Sequence, residues 1–176
     1  MSLQGKILFP TVALVFIVAG MFGATSYVAS EQRTDGLVIN IAGRQRMLTQ
    51  KMAKEALAIR AAAGQADAAL AAKLAKTTEV FAASLSALRL GGRAPISLDP
   101  AGPSALLPKP GAAEGEQLLR VESMWDEYRR LATAAAAPGG TIDGPRLIAA
   151  SEEINQAMDK AVTAFQAASE ARVSLL

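Results

Sequence analysis

The 176-residue sequence contains no cysteine and no histidine. The first absence excludes disulfides, thiolate metal sites and a cysteine nucleophile. The second removes the commonest general base and the commonest metal ligand. Aromatic residues make up only 5% and the net charge is +2. With no long basic run and no aromatic ladder on which bases could stack, nothing points to nucleic acid. Glu152, Glu153 and Asp159 form an acidic group near the C-terminal end. Without histidine the Glu-x-x-His ligand sets of di-iron bundles cannot be made, and no nucleophile–base pair can be assembled. These acids read as a solvated helix face, and the chain reads as a non-enzyme with no metal and no cofactor.

What is present is helix-forming and apolar. Hydrophobic residues make up 51% of the chain. Alanine dominates them, and β-branched residues are scarce, a balance that favours helix over sheet. Ile7 to Ala29 carries no charge, and about 20 apolar residues suffice to cross a bilayer. Lys6 precedes this run, and Glu31, Arg33 and Asp35 follow it. The positive-inside bias is slight, and it places the N-terminus in the cytoplasm and the remainder outside. Two readings compete. Val28-Ala29-Ser30 resembles a signal-peptide cleavage site. The run is long for a signal, however, and its helical pattern continues past it, which favours an uncleaved anchor over residues 1–30.

Residues 31–176 divide into four helical stretches, at about 31–62, 66–89, 115–136 and 145–172. Leu70, Leu74, Thr78, Phe81, Leu85 and Leu88 stripe the second helix. Leu118, Val121, Trp125, Tyr128 and Ala132 stripe the third. Ile148, Ser151, Ile154, Met158, Val162, Phe165 and Ala168 stripe the fourth. Asp143 is a natural N-cap for the fourth helix, and Pro145 sits in the first turn, where proline is tolerated. Ala63-Gly64-Gln65 and the turn at 138–144 punctuate the pattern. The 91–111 segment holds five of the eight prolines and reads as a loop, disordered or wrapped on the surface. The architecture expected is all-α: an up-down-up-down four-helix bundle whose first helix is continuous with the membrane helix. The final Val173-Ser174-Leu175-Leu176 resembles the start of a second span.

The first helix carries an anomaly. On a wheel of 100° per residue, Leu37, Ile41, Leu48, Met52 and Ile59 mark a core face. Nearly opposite lies Arg46, with Ile39, Gly43, Gln50, Ala53 and Leu57 around it. A second packing face implies a partner helix, most simply a second copy about a two-fold axis. No acid lies on this face within a turn of Arg46, and Glu55 points elsewhere. Two facing guanidinium groups about 6 Å apart repel by roughly 3 kcal/mol. Such a pair invites a small anion that accepts from both planar forks. Gly43, one turn earlier, lets the backbones approach, and Gln50, one turn later, offers a further hydrogen bond. The ordinary alternative is an exposed cationic face. Arg44 lies near the edge of the core face and is expected to reach water, and Lys51 is spaced to pair with Glu55.

The stretch Asn40-Ile41-Ala42-Gly43-Arg44-Gln45-Arg46-Met47-Leu48-Thr49-Gln50-Lys51-Met52 resembles the signature of the PilJ-type sensor domain of type IV pilus chemotaxis transducers. It is also similar to the P-box of the NarX/NarQ nitrate/nitrite sensor kinases. The resemblance implies a periplasmic, dimeric four-helix sensor on the bacterial inner membrane. Where such domains bind nitrate or nitrite, it implies a site at the two-fold between the first helices, with Arg46 as principal ligand and Asn40, Gly43 and Met47 completing its motif. Ile41 stands where the kinase pattern has a lysine, and Lys51 stands for its second arginine.

Two functions follow as expectations. The first is a sensor module that binds a small oxyanion, nitrate or nitrite, at a homodimer interface and passes the signal to a downstream domain. The alternative is an interaction module that recognises a pilus or other periplasmic protein, for which Arg46 is dispensable and the 91–111 segment is not.

Overall fold

The computed structural model describes residues 3–62, 68–137 and 141–174. The expected break at Ala63-Gly64-Gln65, the start of the turn at 138–144 and the last two residues lie outside the described residues. The described residues form four α-helices: α1 (Leu3–Ala61), α2 (Ala68–Leu90), α3 (Ala112–Thr133) and α4 (Gly144–Ser174). A short 3-10 turn, Ala134–Ala136, closes α3. At 1.5 Å per residue the 59 residues of α1 form a rod of roughly 90 Å.

From residue 11 onward, the described N-terminal part of this rod lies largely exposed. Its most apolar window has a mean hydropathy of 2.0 and no buried residue, and Val12, Leu14, Val15, Phe16, Ile17, Val18, Met21 and Phe22 are all exposed. A water-soluble helix does not leave such a surface bare, and by length and composition the segment is able to cross a membrane. The same helix that enters the bundle thus carries the candidate membrane span.

Beyond the anchor the helices run up and down. Thr78 donates to Met52 Sδ across α1 and α2 at 3.6 Å. Arg89 of α2 pairs with Glu122 of α3 at 3.0 Å, and Arg146 of α4 with Glu127 of α3 at 2.6 Å. Arg172 of α4 grips Asp35 of α1 with two hydrogen bonds, at 2.7 and 3.3 Å. Each pair joins antiparallel neighbours. The core mixes alanines, including Ala42, Ala56, Ala132, Ala157 and Ala161, with larger side chains such as Leu48, Met52, Leu74, Phe81, Leu118 and Tyr128. Phe81 stacks on Trp125 with centroids 4.3 Å apart, and Tyr128 lies beside it.

All five residues of the expected α3 seam are buried. Asp143 caps α4 through Oδ1, which accepts from Arg146 N at 2.9 Å. The α4 stripe begins one residue earlier than expected: Leu147 is buried and Ile148 exposed. Pro145 and the cap set the phase of the first turn, and that phase aims position 147 at the core.

The 91–111 segment is a correction. It contains an antiparallel hairpin, β1 (Gly92–Pro95) against β2 (Ser104–Leu107), with Ala94 opposite Ala105. Gly91 and Gly92, at φ 76° and 111°, turn the chain out of α2 into β1, in a region that glycine enters freely. A side chain on Gly91 would also press against Lys109 N at 3.1 Å. Ala94, Pro95 and Leu107 are buried, so the hairpin packs its inner face on the bundle.

One buried layer is polar. Gln45 and Ser84 are both fully buried, and Gln45 Oε1 and Nε2 and Ser84 Oγ have no hydrogen-bond partner among the described residues. The pairing of Met52 with Thr78 sets these two residues at one level across α1 and α2. A buried amide with no partner costs its desolvation. Gln45→Leu is expected to raise stability by about 1–2 kcal/mol, checked by urea unfolding.

Candidate functional site

The exposed side of α1 above the anchor is a regular stripe. Gly36, Asn40, Met47, Gln50 and Lys54 are exposed, and Gly43 is half-covered. Their spacing alternates four and three residues, the spacing of a two-helix seam. Met47 is 41% exposed, an apolar side chain with no cover in the single chain. Asn40, Gly43, Met47 and Gln50 therefore share one face.

The face is rotated from the one expected on the wheel. Ala53 is buried, and Ile39 and Leu57 pack against the core. Helix α1 lies between α2 and α4, so the bundle covers more than half of its circumference. Arg46, which directly precedes Met47, takes the flank of the stripe on the α4 side.

The Arg46 guanidinium folds back over Gly43. Its Nε donates to the Gly43 carbonyl at 3.4 Å, and Nη2 lies 3.6 Å from where a Gly43 Cβ would stand. A Cβ at that distance would make only ordinary contact, so the path of the guanidinium over position 43 does not itself require glycine. The expectation that Arg46 has no carboxylate partner is corrected: Nη1 pairs with Asp159 Oδ1 of α4. The two residues are 113 apart in sequence, and only the folded bundle brings them together.

The other cations of the motif serve the fold. Arg44 does not reach out to water. Its Nη2 donates to the Pro95 carbonyl and its Nη1 to the Ser97 carbonyl at 3.4 Å. It thereby pins the β-hairpin to α1, and burial holds its guanidinium below the usual arginine value. Lys51 pairs with Glu55, as its spacing implied, and also donates to Thr77 Oγ1 of α2 at 2.7 Å. Thr49 Oγ1 donates to the Gln45 carbonyl at 2.8 Å, and the buried Tyr128 hydroxyl donates to the Thr49 carbonyl at 2.5 Å. Burial pushes the Tyr128 phenol above its ordinary range. The motif thus divides between an inner side (Gln45, Thr49) that is buried in the core, tied to α3 through the Thr49 carbonyl, and an outer side (Asn40, Gly43, Arg46, Met47, Gln50) that meets solvent. The hairpin clamp by Arg44 leaves no signal in the sequence, since its partners are backbone carbonyls 51 and 53 residues away.

A cavity of about 200 Å3 opens elsewhere, at the anchor end of the bundle, lined in part by Glu31, Asp35, Lys109, Glu114 and Arg172. It includes no outer-side motif residue. Its strongest cation, Arg172, is already satisfied by Asp35, whose side chain is 13% exposed. Among the described residues no cluster of acidic side chains is arranged to hold a metal ion.

Comparison with known proteins identifies the family. Residues 27–143 match the PilJ family, described as the type IV pili methyl-accepting chemotaxis transducer N-terminal domain. The methyl-accepting chemotaxis protein McpN of Pseudomonas aeruginosa is 32% identical over 132 residues, covering 74% of this chain and 22% of that protein. The chain thus spans about a fifth of that relative's length. The solved ligand-binding domain of the P. aeruginosa nitrate receptor McpN superposes with a TM-score of 0.57 at 28% identity, over 74% of this chain and 94% of that one. With the family signature on α1, the helical bundle and the apolar anchor all present in one chain, it belongs to the PilJ family of chemotaxis-transducer sensor domains.

Proposed function

We propose that this chain is the periplasmic sensor domain of a transmembrane chemoreceptor, and that it binds nitrate, and secondarily nitrite, between the α1 helices of a homodimer. The carrying observation is the exposed α1 stripe with Arg46 folded over Gly43 at its edge. Two copies joined along the stripe bring two guanidinium forks toward one axis. A planar oxyanion accepts charge-assisted hydrogen bonds from both and relieves their repulsion. Gln50, Asn40 and Met47 line the same seam above and below. That the relative's solved domain is that of a nitrate receptor supports this reading. The chemistry is binding, with no bond made or broken.

Signal output follows from continuity. The helix that carries Arg46 also crosses the inner membrane, so a shift of the two α1 rods reaches the cytoplasmic side, where the N-terminus lies, without an intervening joint. The alanine-rich core makes each protomer a weak bundle that gains stability from dimer and ligand together.

A second reading has one observation in its favour. The hairpin and its loop present Ile96, Leu98 and Leu106 to solvent, the last 71% exposed, a surface suited to a pilus or other periplasmic protein. An anion panel separates the two. The full chain in lipid nanodiscs is heated with nitrate, nitrite, sulfate or chloride. Nitrate is expected to raise the unfolding temperature of the dimer in a saturable way, with sulfate and chloride inert. A dimer that responds to none of them refers the function to the hairpin surface.

A further inference from the structure

Arg46 occupies the flank of the seam, so its guanidinium has two destinations. Across Gly43 lies the dimer axis; on the other side lies α4. In the single chain the α4 side is engaged, with Nη1 on Asp159 Oδ1. We propose that Asp159 is a tethered competitor: its carboxylate occupies Arg46 in the empty receptor, and the incoming oxyanion displaces it. The inference rests on the anion reading above and adds its regulation.

The geometry fits a contact made to be broken. The Arg46 and Asp159 side chains are 45% and 57% exposed, so water takes over either partner at small cost. A single Asp159 oxygen is engaged, whereas the other α1–α4 tie, Arg172 on Asp35, uses both carboxylate oxygens and a side chain only 13% exposed. Asp159 is a carboxylate, a planar oxyanion of the same chemical class as the ligand, held at a fixed local concentration by α4. Exchange of one for the other cuts the polar tie between α1 and α4 at the level of the motif. The Arg172–Asp35 clamp beside the membrane remains. Anion binding on one face of α1 thereby frees its other face to slide against α4, and competition sets the concentration at which the receptor responds.

The test is a nitrate titration of the full chain in nanodiscs, comparing the unaltered protein with Asp159→Asn and Glu152→Gln. Glu152 is exposed on the same helix two turns away, and its substitution changes the net charge equally. Asp159→Asn is expected to bind nitrate about three- to tenfold more tightly, the release of an exposed pair in each of two protomers. Glu152→Gln is expected to leave the affinity unchanged. Equal tightening by both substitutions reduces the effect to bulk charge and overturns the proposal. Unchanged or weaker binding by Asp159→Asn, in a protein that otherwise binds nitrate through Arg46, overturns the competition and leaves the anion site standing. Nitrate binding that appears only in Asp159→Asn supports the competition. No binding in any of the three proteins overturns the competition and the anion site alike.

Discussion

Arg46→Ala is expected to abolish saturable nitrate binding while leaving the bundle folded. Each protomer contributes one guanidinium to the proposed site, and the substitution removes both. Truncating one hydrogen-bonded partner of a desolvated charge pair costs about 2–5 kcal/mol, so the loss exceeds roughly a hundredfold in affinity. Arg46→Lys keeps the charge and loses the planar fork, and falls about tenfold short of the unaltered protein. Stability moves little in either case, because the ion pair removed among the described residues is the exposed one to Asp159, and such pairs contribute about 0–1 kcal/mol. Calorimetric titration alongside thermal unfolding separates the two effects. Wild-type affinity in Arg46→Ala places any anion elsewhere.

Phe81→Ala gives the opposite pattern, a folding defect with no direct effect on the seam. The Phe81 ring is fully buried and stacked on Trp125. Aromatics are 5% of the chain, and this stack with Tyr128 is the largest block of volume in an interior otherwise rich in alanine. Buried Phe→Ala substitutions cost about 3–5 kcal/mol, against a total of about 5–15 kcal/mol for an ordinary domain. The neighbours that would have to close the cavity include the bulky ring of Trp125, so collapse is limited. Urea unfolding is expected to show a midpoint lowered by the corresponding amount. A shift below about 1 kcal/mol contradicts the packing described.

The four helices were legible because period and composition agree. The α3 seam of Leu118, Val121, Trp125, Tyr128 and Ala132 needed only its spacing, since the charged residues between them lie off that stripe. At Ile148 the same reasoning slipped by one residue. Leu147 and Ile148 are equally apolar, and the capped first turn, not hydrophobicity, decides which one points inward. The hairpin was missed for a related reason. Its strands are four residues each, too short for alternation to register, and prolines at 95, 100, 103, 108 and 110 argued for irregular chain. What orders it is tertiary: the Arg44 clamp and the burial of Ala94, Pro95 and Leu107.

The outer motif face was legible in outline. Gly43, Arg46 and Gln50 follow from an a/d-like spacing opposite the core, and the motif resemblance added Asn40 and Met47. Its centre was misplaced toward Ala53 because a wheel treats the core as one direction, whereas α1 is covered from both sides. The pairing of Arg46 with Asp159 leaves no local trace, since the residues meet only through the antiparallel packing of α1 on α4. The anion site remains a proposal about the dimer.

The central claim is that one anion lies between two copies of Arg46. Its most direct test is the stoichiometry of nitrate binding to the dimeric chain by calorimetry, with the dimer confirmed by sedimentation in the same buffer. One nitrate per two chains is the predicted result. One nitrate per chain contradicts the shared site and puts the anion within each protomer, and saturable binding by the monomer at the same affinity contradicts it equally.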